Sequence, residues 1–228
     1  SSQVIDSSSF ASPVVVTTPS GTEDIELGDF DGDGKVDLAS VNYLAQNISV
    51  HRNISSVGAL TFDSSPATRF DLGGDGRSVV TGDLDGDGKL DLAVTRYSGA
   101  VVVFRNTGNG SIAFANAGSF NVTGSPDHGL AVGDLDGDGK LDLVVAGTSG
   151  NVVSILRNIS TVGNVSFEAK IDVPTGAYPN WVAIGDLDGD GKADLVTANW
   201  SSADISILRN TSVTGIINSS SFAPKNDF

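Results

Sequence analysis

The chain has 228 residues, no cysteine, no methionine and a formal net charge of −15. Sixteen of its 28 acidic residues sit in four short loops with four of the thirteen Lys and Arg, and the other twelve acids stand against nine Lys and Arg, so most of the acidity is local. That balance leaves no basic stripe and speaks against nucleic acid as a partner. No disulfide holds the fold, and no apolar run is long enough to cross a bilayer as a helix. The absence of Met, even at position 1, reads as a processed product or a window of a longer chain.

Taken in order, the chain repeats itself throughout. The acidic loops start at Asp29, Asp83, Asp134 and Asp186. Arg-Asn pairs follow at 52–53, 105–106, 157–158 and 209–210, and a Phe marker recurs at Phe10, Phe62, Phe114, Phe167 and Phe222. The spacing predicts one repeat domain over 1–228, with units at about 18–70, 71–122, 123–174 and 175–228. Residues 1–17 read as an extra strand of the fourth kind, surplus to a closed set of four. An unpaired strand of this sort is a template for self-assembly.

The last unit shows the pattern. Trp181–Gly185 reads as a first strand (A) and Asp194–Ala198, after the acidic loop, as a second (B). Asp204–Leu208, where apolar and polar residues alternate at the start, reads as a third (C). A fourth strand (D) is expected from the Phe markers onward. Four short strands per unit of about 50 residues predict an all-β, β-propeller-type array of four-stranded antiparallel blades. Four repeats stand either alone or as part of a larger propeller or assembly.

Each loop places carboxylates at positions 1, 3, 5 and 9: Asp29, Asp31, Asp33 and Asp37, then Asp83, Asp85, Asp87 and Asp91. The third set is Asp134, Asp136, Asp138 and Asp142, and the fourth Asp186, Asp188, Asp190 and Asp194. Four crowded carboxylates repel unless a cation sits among them, and hard oxygen donors at this density suit Ca²⁺. Position 7 (Lys35, Lys89, Lys140 and Lys192) would offer its backbone carbonyl and point its side chain to solvent. The Gly at position 6 permits the turn. The first half of the loop reads like an EF-hand, but the last carboxylate comes at position 9 and the flanks read as strands, so the ion would clamp a β-hairpin. Up to four Ca²⁺ are expected per chain.

Gly-Asp-Leu-Asp-Gly-Asp-Gly-Lys-Leu-Asp-Leu, with Val-Ala-Ile-like strands before it and Ser-Ile-Leu-Arg-Asn after, resembles FG-GAP/VCBS-type repeats, the blades of integrin-α-like β-propellers. The resemblance covers essentially the whole chain. It implies calcium in the A–B hairpins, with the loop aspartates above as ligands. It also implies a secreted, extracellular or cell-surface setting and usually no catalysis in the propeller. Family propellers commonly have seven blades, so closure within four repeats is in question.

The face opposite the calcium loops varies most between repeats. Tyr43, Tyr97, Tyr178, Trp181 and Trp200 form a candidate ligand face there, near Glu23, Arg77, His128 and Asn180. Such rings can stack on a sugar or peptide, but they can equally cover blade tops. His51 stands where the other repeats have Phe104, Leu156 and Leu208, so it is expected to pack. Nothing forms a recognisable triad signature. Nine Asn-X-Ser/Thr sequences, among them Asn53, Asn158, Asn199 and Asn210, are nominal glycosylation acceptors. The expected function is a non-enzymatic, calcium-stabilised extracellular module for adhesion or structural assembly, with a protein or glycan partner. The alternatives are a lectin-like propeller using the variable face and an accessory domain of a larger secreted hydrolase.

Overall fold

The computed structural model describes residues 9 and 11–228. Their strands form four antiparallel sheets, each a four-stranded meander in chain order. Blade 1 holds β1 (Thr22–Gly28), β2 (Asp37–Asn42), β3 (Asn47–His51) and β4 (Thr68–Asp71). Blade 2 holds β5 (Gly76–Gly82), β6 (Asp91–Arg96), β7 (Ala100–Asn106) and β8 (Phe114–Asn121). Blade 3 holds β9 (Pro126–Gly133), β10 (Asp142–Gly147), β11 (Val152–Leu156) and β12 (Ile171–Pro174). Blade 4 holds β13 (Pro179–Gly185), β14 (Asp194–Asn199), β15 (Asp204–Leu208) and β16 (Asn226–Asp227). Among the described residues no helix is long and apolar enough to cross a membrane.

The hydrophobic cores lie between blades, one at each junction. Phe30, Val41, Ile48 and Val50 of blade 1 meet Leu92, Val102 and Phe104 of blade 2. Leu84, Val101 and Val103 meet Leu143, Leu156 and Val165 of blade 3. Leu135, Val144 and Ile155 meet Val182, Leu195, Leu208 and Ile217 of blade 4. A strand in the middle of an inner blade therefore buries both faces, and β6, β7 and β10 read as near-continuous apolar runs. In blade 4 the outer side meets no further blade among the described residues, and β15 alternates between buried and half-buried or exposed residues.

The arc is open. β1 packs on β5, β5 on β9 and β9 on β13, but β13 and β1 form no such packed pair. The fourth strands also differ from expectation. Only β8 begins at its Phe marker. Phe62, Phe167 and Phe222 instead make isolated bridges to Asn53, Asn158 and Asn210, and the strands start several residues later. In blades 1 and 4 Pro66 and Pro224 stand in that gap, and a residue without an N–H cannot continue the ladder. Of the surplus strand expected over 1–17, residues 11–17 are not in a strand, while Phe10 lies outside the described residues.

Candidate metal centres

The four loops join the first and second strand of each blade and share one internal geometry. At position 1, the carboxylate accepts the N–H groups of positions 4 and 6, as Asp29 does from Gly32 and Gly34, both at 2.9 Å. The position-9 carboxylate is buried and locks the hairpin. One oxygen of Asp142 accepts the Leu135 N–H at 2.9 Å and the other the Asn158 N–H at 2.8 Å. Asp37, Asp91 and Asp194 repeat that pattern. Gly34, Gly88, Gly139 and Gly191 at position 6 have φ between +83° and +86° with open space around them, so the turn requires glycine for its backbone and not for room.

These bonds converge the carboxylates. Oxygens of Asp83, Asp85 and Asp91 lie within 4.8 Å of one another, as do those of Asp134, Asp136 and Asp142 and of Asp186, Asp188 and Asp194. In the first loop the converging trio is Asp29, Asp31 and Asp33. The position-5 carboxylates accept the N–H of position 7, as Asp87 does from Lys89 at 3.0 Å. Burial pushes the Asp142 carboxyl up to about 7 and the Asp91 carboxyl to about 6, with the neighbouring loop aspartates adding to the effect. Asp37 is raised for the same reasons.

The lysine side chains do not point freely to solvent as expected. Lys89 Nζ approaches Asp87 at 3.3 Å and Lys35 lies 3.9 Å from Asp33. Lys140 and Lys192 donate to the carbonyls of Ser160 and Ser212 at 2.9 and 2.7 Å. Each ammonium finds a nearby acceptor in a loop that concentrates negative charge.

Sequence reasoning used the Arg-Asn pair only as a repeat marker; the structure gives both residues work. Each Arg bridges the loop carboxylates at positions 3 and 5. Arg157 reaches Asp136 at 2.5 Å and Asp138 at 2.8 Å, and Arg105 reaches Asp85 at 2.7 Å and Asp87 at 3.6 Å. Arg52 pairs with Asp31 and Asp33, and Arg209 with Asp188 and Asp190. Asn106, Asn158 and Asn210 each staple two blades, while Asn53 reaches only the Val36 carbonyl of its own loop. Asn158 Nδ2 donates to the Leu84 carbonyl of the preceding loop at 2.9 Å and to Leu141 of its own at 2.8 Å. Asn106 and Asn210 do the same to Phe30 and Leu90 and to Leu135 and Ala193. The fixed recurrence of the pair after the third strand was the available signal. Asn158, Asn199 and Asn210 are buried with their amide hydrogens engaged, so the folded chain does not present them for glycosylation.

On the variable face, Arg77 lies between Tyr43 and Tyr97, 4.3 and 5.0 Å from the ring centroids. It pairs with Glu23 at 3.0 Å, and His128 stands 3.8 Å from Glu23 and 3.7 Å from Asp127. The inner strands of three blades thus meet in one polar cluster. Trp181 and Trp200 are 58% and 75% exposed on blade 4, and Tyr178 lies at the edge of exposure. His51 is buried, with Nδ1 3.3 Å from the Asp63 carbonyl, in a packing position.

Four-stranded blades with aspartate loops in their first hairpins define a β-propeller-type repeat protein. The profile described as FG-GAP-like repeat matches residues 29–94, 83–145 and 134–197. The chain belongs to the FG-GAP-like repeat family. Human cartilage acidic protein 1 is 30% identical over 130 residues, which is 54% of this chain and 20% of that protein; the mouse protein is 29% identical over the same length. The chain thus matches about a fifth of the length of these relatives. Among solved structures, BBS1N in complex with ARL6DN, soaked with lead, aligns with TM-score 0.57 and 13% identity over 89% of this chain and 57% of that one. Bacillus licheniformis rhamnogalacturonan lyase PL11 aligns with TM-score 0.53 and 14% identity over 84% of this chain and 47% of that one. At these identities the likeness is one of fold alone.

Proposed function

We propose that this chain is a non-catalytic, calcium-stabilised repeat module that works outside the cell in adhesion or structural assembly. The observation that carries the reading is the convergence of three carboxylates in each of four equivalent loops. The donor set fits calcium: it is all hard oxygen, with no thiolate and no imidazole in the loops. The aspartates at positions 1, 3, 5 and 9 would hold the ion, with the position-7 carbonyl. When bound, calcium supplies neutralisation of the clustered charge. The chain's own residues orient the carboxylates through backbone N–H groups and draw two of them aside through arginine. A millimolar-calcium setting outside the cell suits modules of this affinity class, and the relatives are named as cartilage proteins.

Calorimetric titration tests the assignment. It should show up to four equivalents of calcium, and Asp85→Asn should weaken one of them. No heat of binding at millimolar calcium would refute it. A second reading, a lectin-like face, is favoured by the exposed Trp181 and Trp200. They are not covered by a cation as Tyr43 and Tyr97 are. A glycan array separates the readings: sugar-specific binding lost in Trp200→Ala selects the lectin.

A further inference from the structure

One turn on the loop side departs from the repeat. In blades 1, 3 and 4 the connection between the third and fourth strand closes at its tip through a bridge, Ser56 to Ala59, Thr161 to Asn164 and Val213 to Ile216. Two of these tips are also tied to the preceding blade. The Gly163 N–H donates to the Asp85 carboxylate at 3.0 Å and the Gly215 N–H to the Asp136 carbonyl at 3.1 Å. In blade 2 the stretch from Asn106 to Phe114 is one position shorter than Asn53 to Phe62 or Asn158 to Phe167. It closes farther back. The Thr107 N–H donates to the Ala113 carbonyl at 2.8 Å, and the Gly108 N–H to Asn106 Oδ1 at 2.9 Å. Beyond that rung Asn109, Gly110 and Ser111 are exposed, and no hydrogen bond within the described residues holds Asn109 or Gly110.

Of the asparagines in the chain, only Asn109 stands before a glycine. The backbone nitrogen that follows an asparagine can attack its side-chain amide carbon and close a five-membered imide. A Cβ on the following residue crowds that approach, and hydrogen bonds on either group hold the two apart. Gly110 has no Cβ and its N–H is free, so neither obstacle exists here. The surroundings leave the tip room: a Cβ on Gly110 would meet no atom within 4 Å. Asn164, in the matching turn of blade 3, is the contrast. It is exposed too, but Val165 follows it, and its own N–H and carbonyl are both bonded to Thr161, at 2.7 and 3.1 Å.

We propose that Asn109 is a self-modification site that converts to aspartate and isoaspartate. The Gly110 nitrogen loses its proton to solvent and attacks Asn109 Cγ. The Cγ–Nδ2 bond breaks, and the nitrogen takes a proton from water and leaves as ammonia. A water molecule then opens the imide at either carbonyl. In sum an amide and a water become a carboxylate and an ammonium ion, and nothing is oxidised or reduced. The new charge falls in a defined place. Asn109 and Gly110 line a cleft with Asp29, Asp31 and Gly32 of loop 1 and Lys89 of loop 2. A carboxylate there adds to the repulsion in the metal-free loop and to its attraction for a cation. The calcium part of this consequence rests on the function proposed above, and the conversion itself does not.

The test is peptide mapping by mass spectrometry of the full chain, held at mildly alkaline pH and sampled over about two weeks. The peptide holding Asn109 should gain about 1 Da, split between aspartate and isoaspartate, about tenfold or more faster than those holding Asn116 or Asn164. Gly110→Ala should slow the gain about tenfold. Asn109→Gln should stop it without touching the glycine, because the longer side chain would have to close a six-membered ring. Asn109→Asp carries the charge permanently. At low salt it should melt about 2 °C below the parent in EDTA and bind calcium about twofold tighter at one site. Conversion at Asn109 no faster than at Asn116 and Asn164, or unchanged in Gly110→Ala with native melting, overturns the proposal. Asn109→Asp melting as the parent does in EDTA overturns the coupling of the new charge to loop 1. Conversion at Asn109 in a chain whose loops take up no calcium upholds the modification and refutes the calcium reading.

Discussion

Asn158→Ala removes the staple between blades 2 and 3. Three hydrogen bonds go: two from Nδ2, to Leu84 and Leu141, and one from the Ser160 N–H to Oδ1 at 2.8 Å. The residue is 1% exposed, so water does not take over these partners. At about 1 kcal/mol per bond, with more for groups left buried and unpaired, the loss is about 3 kcal/mol. Asn53→Ala is the internal control. Among the described residues Asn53 Nδ2 reaches only the Val36 carbonyl of its own loop, and the side chain stands partly in solvent, so its loss should be about 1 kcal/mol or less. Urea unfolding at fixed calcium, followed by circular dichroism and tryptophan fluorescence, measures both. Trp181 and Trp200 report blade 4, so separate transitions would show the halves uncoupling at the cut junction. Equal losses in the two variants would refute the assignment of Asn158 as an inter-blade staple.

The remaining expectations concern charge and the variable face. Arg157→Gln removes the cation between Asp136 and Asp138 and should lower melting in EDTA by about 5 °C or more, with a smaller loss in calcium; equal losses would mean the guanidinium does not balance loop charge. Asp142 and Asp91 hold protons to higher pH folded than unfolded, so their ionisation opposes folding above their raised values. Metal-free melting should rise as pH falls from about 8 to about 5, while the increment due to calcium shrinks as protons compete. A metal-free melting point that falls over that range would contradict the burial argument. Arg77→Ala should release Tyr43 and Tyr97 and change tyrosine fluorescence without moving calcium affinity; a shift in affinity would link the two faces.

Much of this molecule could be read from the sequence because its chemistry is local. Nine consecutive residues set each loop, with glycines where φ must be positive, and three of the four aspartates singled out in each loop converge. Strand order followed from repeat spacing. The role of Asn158 was not legible, because its partner Leu84 lies 74 residues away and only folding brings them together. Starts of the fourth strands were misplaced for a different reason. Phe114, Phe167 and Phe222 pack in inter-blade cores, with Phe120 and Phe167 4.9 Å apart across a junction, while Phe62, Phe167 and Phe222 make only single bridges. Pro66 and Pro224 then delay the ladder in two blades. Whether the array closes depends on curvature, which no residue pattern encodes, and Leu187 reads in sequence like Leu84 and Leu135, although it is exposed where they are buried.

The central claim is that calcium in the four loops holds the fold. Thermal melting of the full chain in 1 mM calcium and in EDTA, at moderate salt, tests it most directly. At a site affinity of about 10⁻⁴ M each ion stabilises by about 1.4 kcal/mol, and four give about 6 kcal/mol. For a chain of this size that corresponds to a difference of about 10–20 °C, reversible on adding calcium back. Identical melting curves in calcium and EDTA would contradict the account and leave the loops as acidic turns held together by arginine alone.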